Sequence, residues 1–303
     1  MVKDNSISAR IITAFVIIIP ILVVLLFAPR WVAIVLLFTI SFLAFAEWLS
    51  LSNKAKTTKN LFILLFVFIH LAVSIYSVFI YPVPFVLMIG IIFWIVILIQ
   101  FLVLQGKFSK RFCFDNLWLG LILTVTFSLS SMYILNYGLL STNSECTDLQ
   151  NISTLIFLFL LLNTALFDSA AFFIGRRFGK RKFFSHISPN KTIEGLFGGV
   201  FISLLFCLSL NFFYESFLLT SFLIFSTSIF ALTGDYFISF LKRKNNIKDT
   251  GSILPGHGGI LDRIDSHLAV IPLSIFLDFL YTCLLYTSPR PRDEEESRMQ
   301  SSA

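Results

Sequence analysis

Long runs free of charge alternate with short polar stretches along nearly the whole chain. Runs of about 17–25 apolar residues are long enough to cross a bilayer as helices. They fall at 11–28, 31–49, 61–81, 83–105, 117–137, 152–174, 193–213, 217–240 and 266–284. The pattern predicts an all-α integral membrane protein with about nine transmembrane helices. The first run is longer than the h-region of a signal peptide and no small-residue cleavage site follows it, so it reads as a span.

The charges in the loops test this division independently. With the N-terminus cytoplasmic, the segments 1–10, 50–60, 106–116, 175–192 and 241–265 face inside and hold 19 of the 23 lysines and arginines. That bias is the one cytoplasmic loops carry. The outside loops hold Arg30 alone, and the other three basic residues lie in 283–303. Residues 1–150 read as a transmembrane scaffold of about five spans and 151–282 as a catalytic region of about four. From 283 to 303 the composition turns to Pro, Arg, Glu and Ser without periodicity. That stretch reads as a non-native or disordered tail and is left out of the functional reading.

Composition narrows the class. The chain is 57% hydrophobic and 13% charged, against about 25% charged in soluble domains. The net charge of +6 sits in short loops between apolar runs, which argues against a nucleic-acid partner. The four cysteines are scattered with no CxxC pair, so neither a disulfide framework nor a zinc site is signalled. Spans one to five carry almost no ionisable group apart from Glu47 and His70.

The chemistry lies from Asp168 onward. An aspartate among leucines and phenylalanines faces a cavity or a partner, or else locks two helices by a hydrogen bond. Asp168 and Gly175 share one helical face. Arg176, Arg177, Lys180, Arg181 and Lys182 follow; they suit anchoring at the inner surface or the binding of anionic lipid and nucleotide phosphate. In SPNKTIEGLFGG, Ser188 fits a helix N-cap with Pro189 as the first helical residue. Lys191 and Thr192 then stand beside an anion-binding helix start, with Glu194 in or just past its first turn. Gly195 and Gly199 form a GxxxG pair that favours close helix packing.

The densest polar stretch is SFLKRKNNIKDTGSILPGHGGILDRID, 239–265. Asp235 lies near the end of an apolar helix with Lys242 two turns on, on the same face. Asp262 and Asp265 are three apart, and Asp249 lies between the two groups. Carboxylates with little Cys or His suit a hard cation such as Mg²⁺. The glycines of PGHGG, including Gly258 and Gly259, let backbone N–H groups approach phosphate. Lys242, Arg243, Lys248 and Arg263 supply phosphate-charge partners. The bland alternative is a solvated loop carrying a lone His257.

This stretch resembles the signature of the phosphatidate cytidylyltransferases. Ser239, Lys242-Arg243, Lys248-Asp249, Gly251, Pro255, His257-Gly258-Gly259, Asp262-Arg263 and Asp265 all fall on the pattern. Asp168 to Lys180 and Ser188 to Gly195 are similar to upstream stretches of the family, and Glu47-Trp48 to a glutamate–aromatic pair on its second span. One departure is Ala171 with Phe172-Phe173, where the family often has a tyrosine. The resemblance implies a helical enzyme that joins CTP and phosphatidic acid into CDP-diacylglycerol and pyrophosphate. Its site would open to the cytoplasm and the lipid bilayer, as a homodimer in a bacterial inner membrane. The aspartates at Asp235 and Asp262 would be the ligands of Mg²⁺, with a monovalent cation such as K⁺ beside it. The candidate catalytic residues are Lys242, Arg243, Lys248, Asp249, His257, Arg263 and Asp265, with His257 shaping the loop or touching phosphate. The candidate substrate-binding residues are Asp168, Arg176, Lys180, Ser188, Lys191, Thr192, Glu194, Ser239, Gly258 and Gly259. A CTP-dependent polyprenol or phytol kinase and a lipid transporter are the rival readings. The full pattern favours the cytidylyltransferase, and the clustering of charge at one face disfavours the transporter.

Overall fold

The computed structural model describes residues 19–79, 85–103, 112–137, 149–184, 187–188, 191–211, 217–253 and 258–287. Within them the chain is helical at 19–27 and then forms α1 (Arg30–Leu51), α2 (Lys56–Phe79), α3 (Phe85–Val103), α4 (Leu117–Tyr137) and α5 (Leu149–Phe178). The second half contributes α6 (Ile193–Asn211), α7 (Phe217–Lys244), the short α8 (Leu261–Ile264) and α9 (His267–Thr287). The all-α expectation holds across these elements. By length and composition, the four helices α1, α2, α4 and α5 can cross a membrane, and α3 and α6 hold shorter apolar stretches. Helix α9 runs through Cys283 to Thr287, so the first five residues of the stretch 283–303 are helical. Residues 288–303 and 1–18 lie outside the described residues.

Helix α4 sits at the centre. It packs against α1, α2, α3, α5 and α9, and its buried face carries Thr124, Thr126, Ser128, Ser130 and Ser131. Small side chains there let neighbouring backbones approach closely. Several of the hydroxyls bond their own helix, as Thr124 Oγ1 does to the Gly120 carbonyl at 2.8 Å. The indole of Trp48 on α1 is fully buried and packs edge-on to Phe114, with ring centroids 4.8 Å apart. The outer faces carry exposed Leu64, Phe68, Phe172, Phe173, Phe197 and Phe201. Polar groups inside and large apolar groups outside reverse the arrangement of a water-soluble bundle and suit a lipid solvent.

Helices α5 and α6 form the closest pair. A Cβ on Gly195 would stand 2.5 Å from the Ala171 carbonyl oxygen and 2.9 Å from Gly175 Cα. A Cβ on Gly199 would stand 2.9 Å from the Phe167 carbonyl oxygen, so Gly195 and Gly199 serve packing, as the GxxxG spacing predicted. Helix α7 ends in a Schellman turn: Ile247 N–H donates to the Lys242 carbonyl and Asn246 N–H to that of Arg243. Asn246 takes the left-handed conformation this turn needs, at φ 55°. Lys242, Arg243 and Lys244 in the last turn complement the negative end of the helix dipole. The turn sends the chain back towards α8 and α9.

Candidate active site

The C-terminal parts of α1, α5 and α7 and the starts of α6, α8 and α9 bring most of the candidate residues together. Lys242 Nζ donates to Asp262 Oδ1 at 2.8 Å. The other oxygen, Oδ2, accepts the backbone N–H groups of Thr250 at 2.8 Å and Gly259 at 3.1 Å. Burial works against the charge on Asp262, but Lys242 and these two amides outweigh it and hold the carboxyl below its usual range. Gly258 makes the turn possible, because its φ of 82° is one that side-chain-bearing residues rarely adopt.

A second ion pair joins Lys191 to Asp235. The Lys191 ammonium also lies 4.9 Å from the ring centre of Tyr236. Burial alone would lower the Lys191 pKa, yet Asp235 and Asp168 raise it, so this lysine stays charged. Ser239 Oγ donates to Asp235 Oδ1 at 3.1 Å. Asp168 accepts from Ser266 Oγ at 2.9 Å, which ties α5 to the start of α9. Burial, and then the charge of Asp235, push the Asp265 carboxyl well above its usual range. Asp168, Asp235 and Asp265 thus share one electrostatic neighbourhood with Lys191 and Lys242.

Around this cluster Arg243, Lys248, Asp249 and Arg263 are exposed, as are Arg176 and Lys180. Arg243 reaches back to the Ile187 carbonyl at 3.4 Å. His257, Pro189 and Asn190 lie outside the described residues.

The start of α6 corrects one expectation. Ser188 is not its N-cap: the Ser188 carbonyl accepts the Lys191 N–H within a turn, and α6 begins at Ile193. Thr192 takes the cap role, its Oγ1 accepting the Gly195 N–H at 3.2 Å. The cap moves downstream because Thr192 pairs with Lys182 in an isolated antiparallel bridge, which delays the helix to Ile193. Glu194, in the first turn, accepts the backbone N–H groups of Lys180 at 3.0 Å and Arg181 at 3.1 Å. It therefore organises the loop after α5.

Sequence reasoning left Glu47 in the scaffold. It is buried, and its Oε1 and Oε2 accept the N–H groups of Ile260 and Leu261, each at 2.8 Å. A carboxylate in an apolar span is itself a signal, but sequence gives no means of pairing it with amides more than two hundred positions away.

Among the described residues no three His, Cys, Asp or Glu side chains form a ready-made metal cage. The cluster instead holds carboxylates in excess of ammonium groups, with Asp168, Asp235, Asp262 and Asp265 facing Lys191 and Lys242.

Comparison with known proteins matches these features to a family. The chain is 46% identical over 123 residues to a phosphatidate cytidylyltransferase of Bacillus subtilis, an alignment covering 38% of this chain and 44% of that protein. Proteins of the same name from Staphylococcus epidermidis and Staphylococcus aureus are 46% and 44% identical over 119 residues, each covering 38% of this chain and 46% of the relative. The chain thus aligns with less than half the length of these relatives. The model of the cytidylyltransferase family, by contrast, matches residues 8–281. That span takes in both halves of the bundle and every element of the cluster, and the chain belongs to the cytidylyltransferase family.

Proposed function

We propose that the chain transfers the cytidylyl group of CTP to phosphatidic acid, leaving CDP-diacylglycerol in the bilayer and releasing pyrophosphate. The observation that carries this reading is the polar cluster between apolar helices, where Lys191 and Lys242 meet four carboxylates. The named relatives support the choice of substrates.

An oxygen of the phosphatidate phosphate attacks the α-phosphorus of CTP. The bond from that phosphorus to the bridging oxygen breaks, and pyrophosphate leaves with the electron pair. The attacking oxygen is already ionised, so no strong base is needed and the residues have to position charge and neutralise it. Lys191 and Lys242 do this at the centre, each held by a carboxylate. Exposed Arg243, Lys248, Arg263, Arg176 and Lys180 can swing to the triphosphate and lipid head. His257 is assigned to shaping the glycine loop or touching phosphate rather than to acting as a base.

The hard-oxygen donors of the cluster suit Mg²⁺, and Asp235 and Asp262 are the residues that would hold it. When bound, it supplies charge neutralisation at the phosphates. A monovalent cation such as K⁺ beside it belongs to the same reading. So do nine spans with the N-terminus cytoplasmic, a cytoplasm-facing site, a bacterial inner membrane and a homodimer. The loop charges and the apolar outer faces support the topology.

The test is turnover in mixed micelles of phosphatidic acid, Mg²⁺ and CTP labelled in the cytosine ring. The expected result is label in lipid with matching pyrophosphate, and loss of roughly a hundredfold or more with EDTA or in Asp262→Asn. Phosphorylated lipid with free labelled CDP would replace this reading with the kinase. No nucleotide chemistry at all would overturn both.

A further inference from the structure

The residue that sets the Asp262 turn in place comes from the other half of the chain. Glu47 lies near the C-terminal end of α1, next to Trp48, which is fully buried against Phe114, so its carboxylate has a fixed base. Both oxygens face the turn: Oε1 takes the Ile260 N–H and Oε2 the Leu261 N–H, each at 2.8 Å, with Thr250 Oγ1 at 3.4 Å from Oε2. Asp262 Oδ2 takes the N–H groups of Thr250 and Gly259 from the same two stretches of chain. Glu47 and Asp262 thus clamp one turn between them.

The sequence leaves room for this clamp. A Cβ on Gly251 would stand 2.6 Å from Glu47 Oε1, and one on Gly259 would stand 2.5 Å from Oε2. Among the described residues no lysine or arginine forms an ion pair with Glu47; two backbone amides and the Thr250 hydroxyl bond its oxygens. If the carboxylate were lost, those buried amides would have no acceptor. The turn would relax and carry Asp262 away from Lys242.

We propose that Glu47 is a positioning residue for the transfer reaction. It fixes the backbone of 259–261 so that Asp262 keeps its place opposite Lys242. This rests on the cytidylyltransferase reading for its effect on turnover, but not for its effect on the turn.

The experiment compares wild type, Glu47→Gln, Glu47→Asp and Gly251→Ala by amide hydrogen exchange without nucleotide or metal, and by turnover of CTP with phosphatidate. Glutamine turns one acceptor into a donor facing an N–H. Aspartate is a methylene too short to reach both amides. Alanine at 251 pushes on the carboxylate without altering it. Exchange in the peptide spanning 258–264 is expected to rise tenfold or more in Glu47→Gln, and less in the other two. Exchange in α4 should stay at the wild-type rate. The kcat should fall in the same order, about tenfold or more for Glu47→Gln. Unchanged exchange at 258–264, or wild-type kcat despite faster exchange there, would overturn the proposal. If Glu47→Gln does not fold, Glu47→Asp and Gly251→Ala carry the same two criteria. A wild type without cytidylyl transfer would sink the functional reading, and the exchange measurement would still decide the role of Glu47 in the turn.

Discussion

Within the described cluster, Asp265 is a carboxylate with no lysine hydrogen-bonded to it. Asp262 has a lysine and two amides and Asp235 a lysine and a serine, whereas Asp265 accepts the N–H of its neighbour Ser266 at 2.8 Å. Burial and Asp235 raise its pKa. A carboxyl raised in the fold lets the unfolded chain lose its proton first, so its contribution to stability falls as pH rises from the ordinary aspartate range through the folded pKa. Asp265→Asn keeps the acceptor oxygen and removes the charge. In EDTA it should raise the melting temperature in detergent by about 2–4 °C per kcal/mol relieved. The gain should be larger at pH 8 than at pH 4, as a thermal shift series would read, and an equal gain at both would count against the charge argument. Asp262 has the opposite sign: its stabilising contribution is present at neutral pH and fades as pH falls through its lowered pKa.

At the scale of elements, α5 and α6 depend on glycines where a methyl has no space. Gly195→Ala should cost about 1–3 kcal/mol through overpacking, because its Cβ would press on the Ala171 carbonyl. Thermal unfolding of the purified variant measures this, and a wild-type melting temperature would show that the helices separate freely. Much of this level was legible from hydrophobic runs alone. The run at 117–137 coincides with α4, and the runs at 193–213 and 217–240 start where α6 and α7 start. The ends were harder to read. Helix α5 continues past 174 to Phe178 and α7 past 240 to Lys244, because basic residues extend a helix at its negative end without adding hydrophobicity. The cap at Thr192 was hidden for another reason. Ser188-Pro189 carries the local signal for a helix start, and the pairing of Thr192 with Lys182 overrides it. Lys242 was expected beside Asp235 on one helical face, but it bonds Asp262 while Lys191 takes Asp235; Glu47 was not paired at all, because its partners are backbone amides that carry no residue-type signature.

The whole molecule separates its charges from its lipid-facing surface. Lys and Arg gather beside the starts and ends of the helices that build the cluster, while the outer faces of α2, α3, α5 and α6 show leucine, isoleucine and phenylalanine. With all four cysteines replaced by serine, Lys248→Cys should react with an impermeant maleimide in inside-out vesicles, and Arg30→Cys in right-side-out vesicles. Labelling of both from one side would remove the alternating topology. Reading a site from sequence works best when its residues share one stretch, and here 239–265 supplies most of them. The part that escaped is the part contributed by a helix near the other end of the chain.

That separation bears on how the protein is made. The amides that Glu47 binds lie 213 and 214 residues after it. During synthesis α1 is made long before the turn exists, and the glutamate lacks its partners until then. The turn cannot close until 250–261 has left the ribosome and α9 has taken its place against α4. Every shorter nascent chain lacks the clamp, so Asp262 gains its support only after that point.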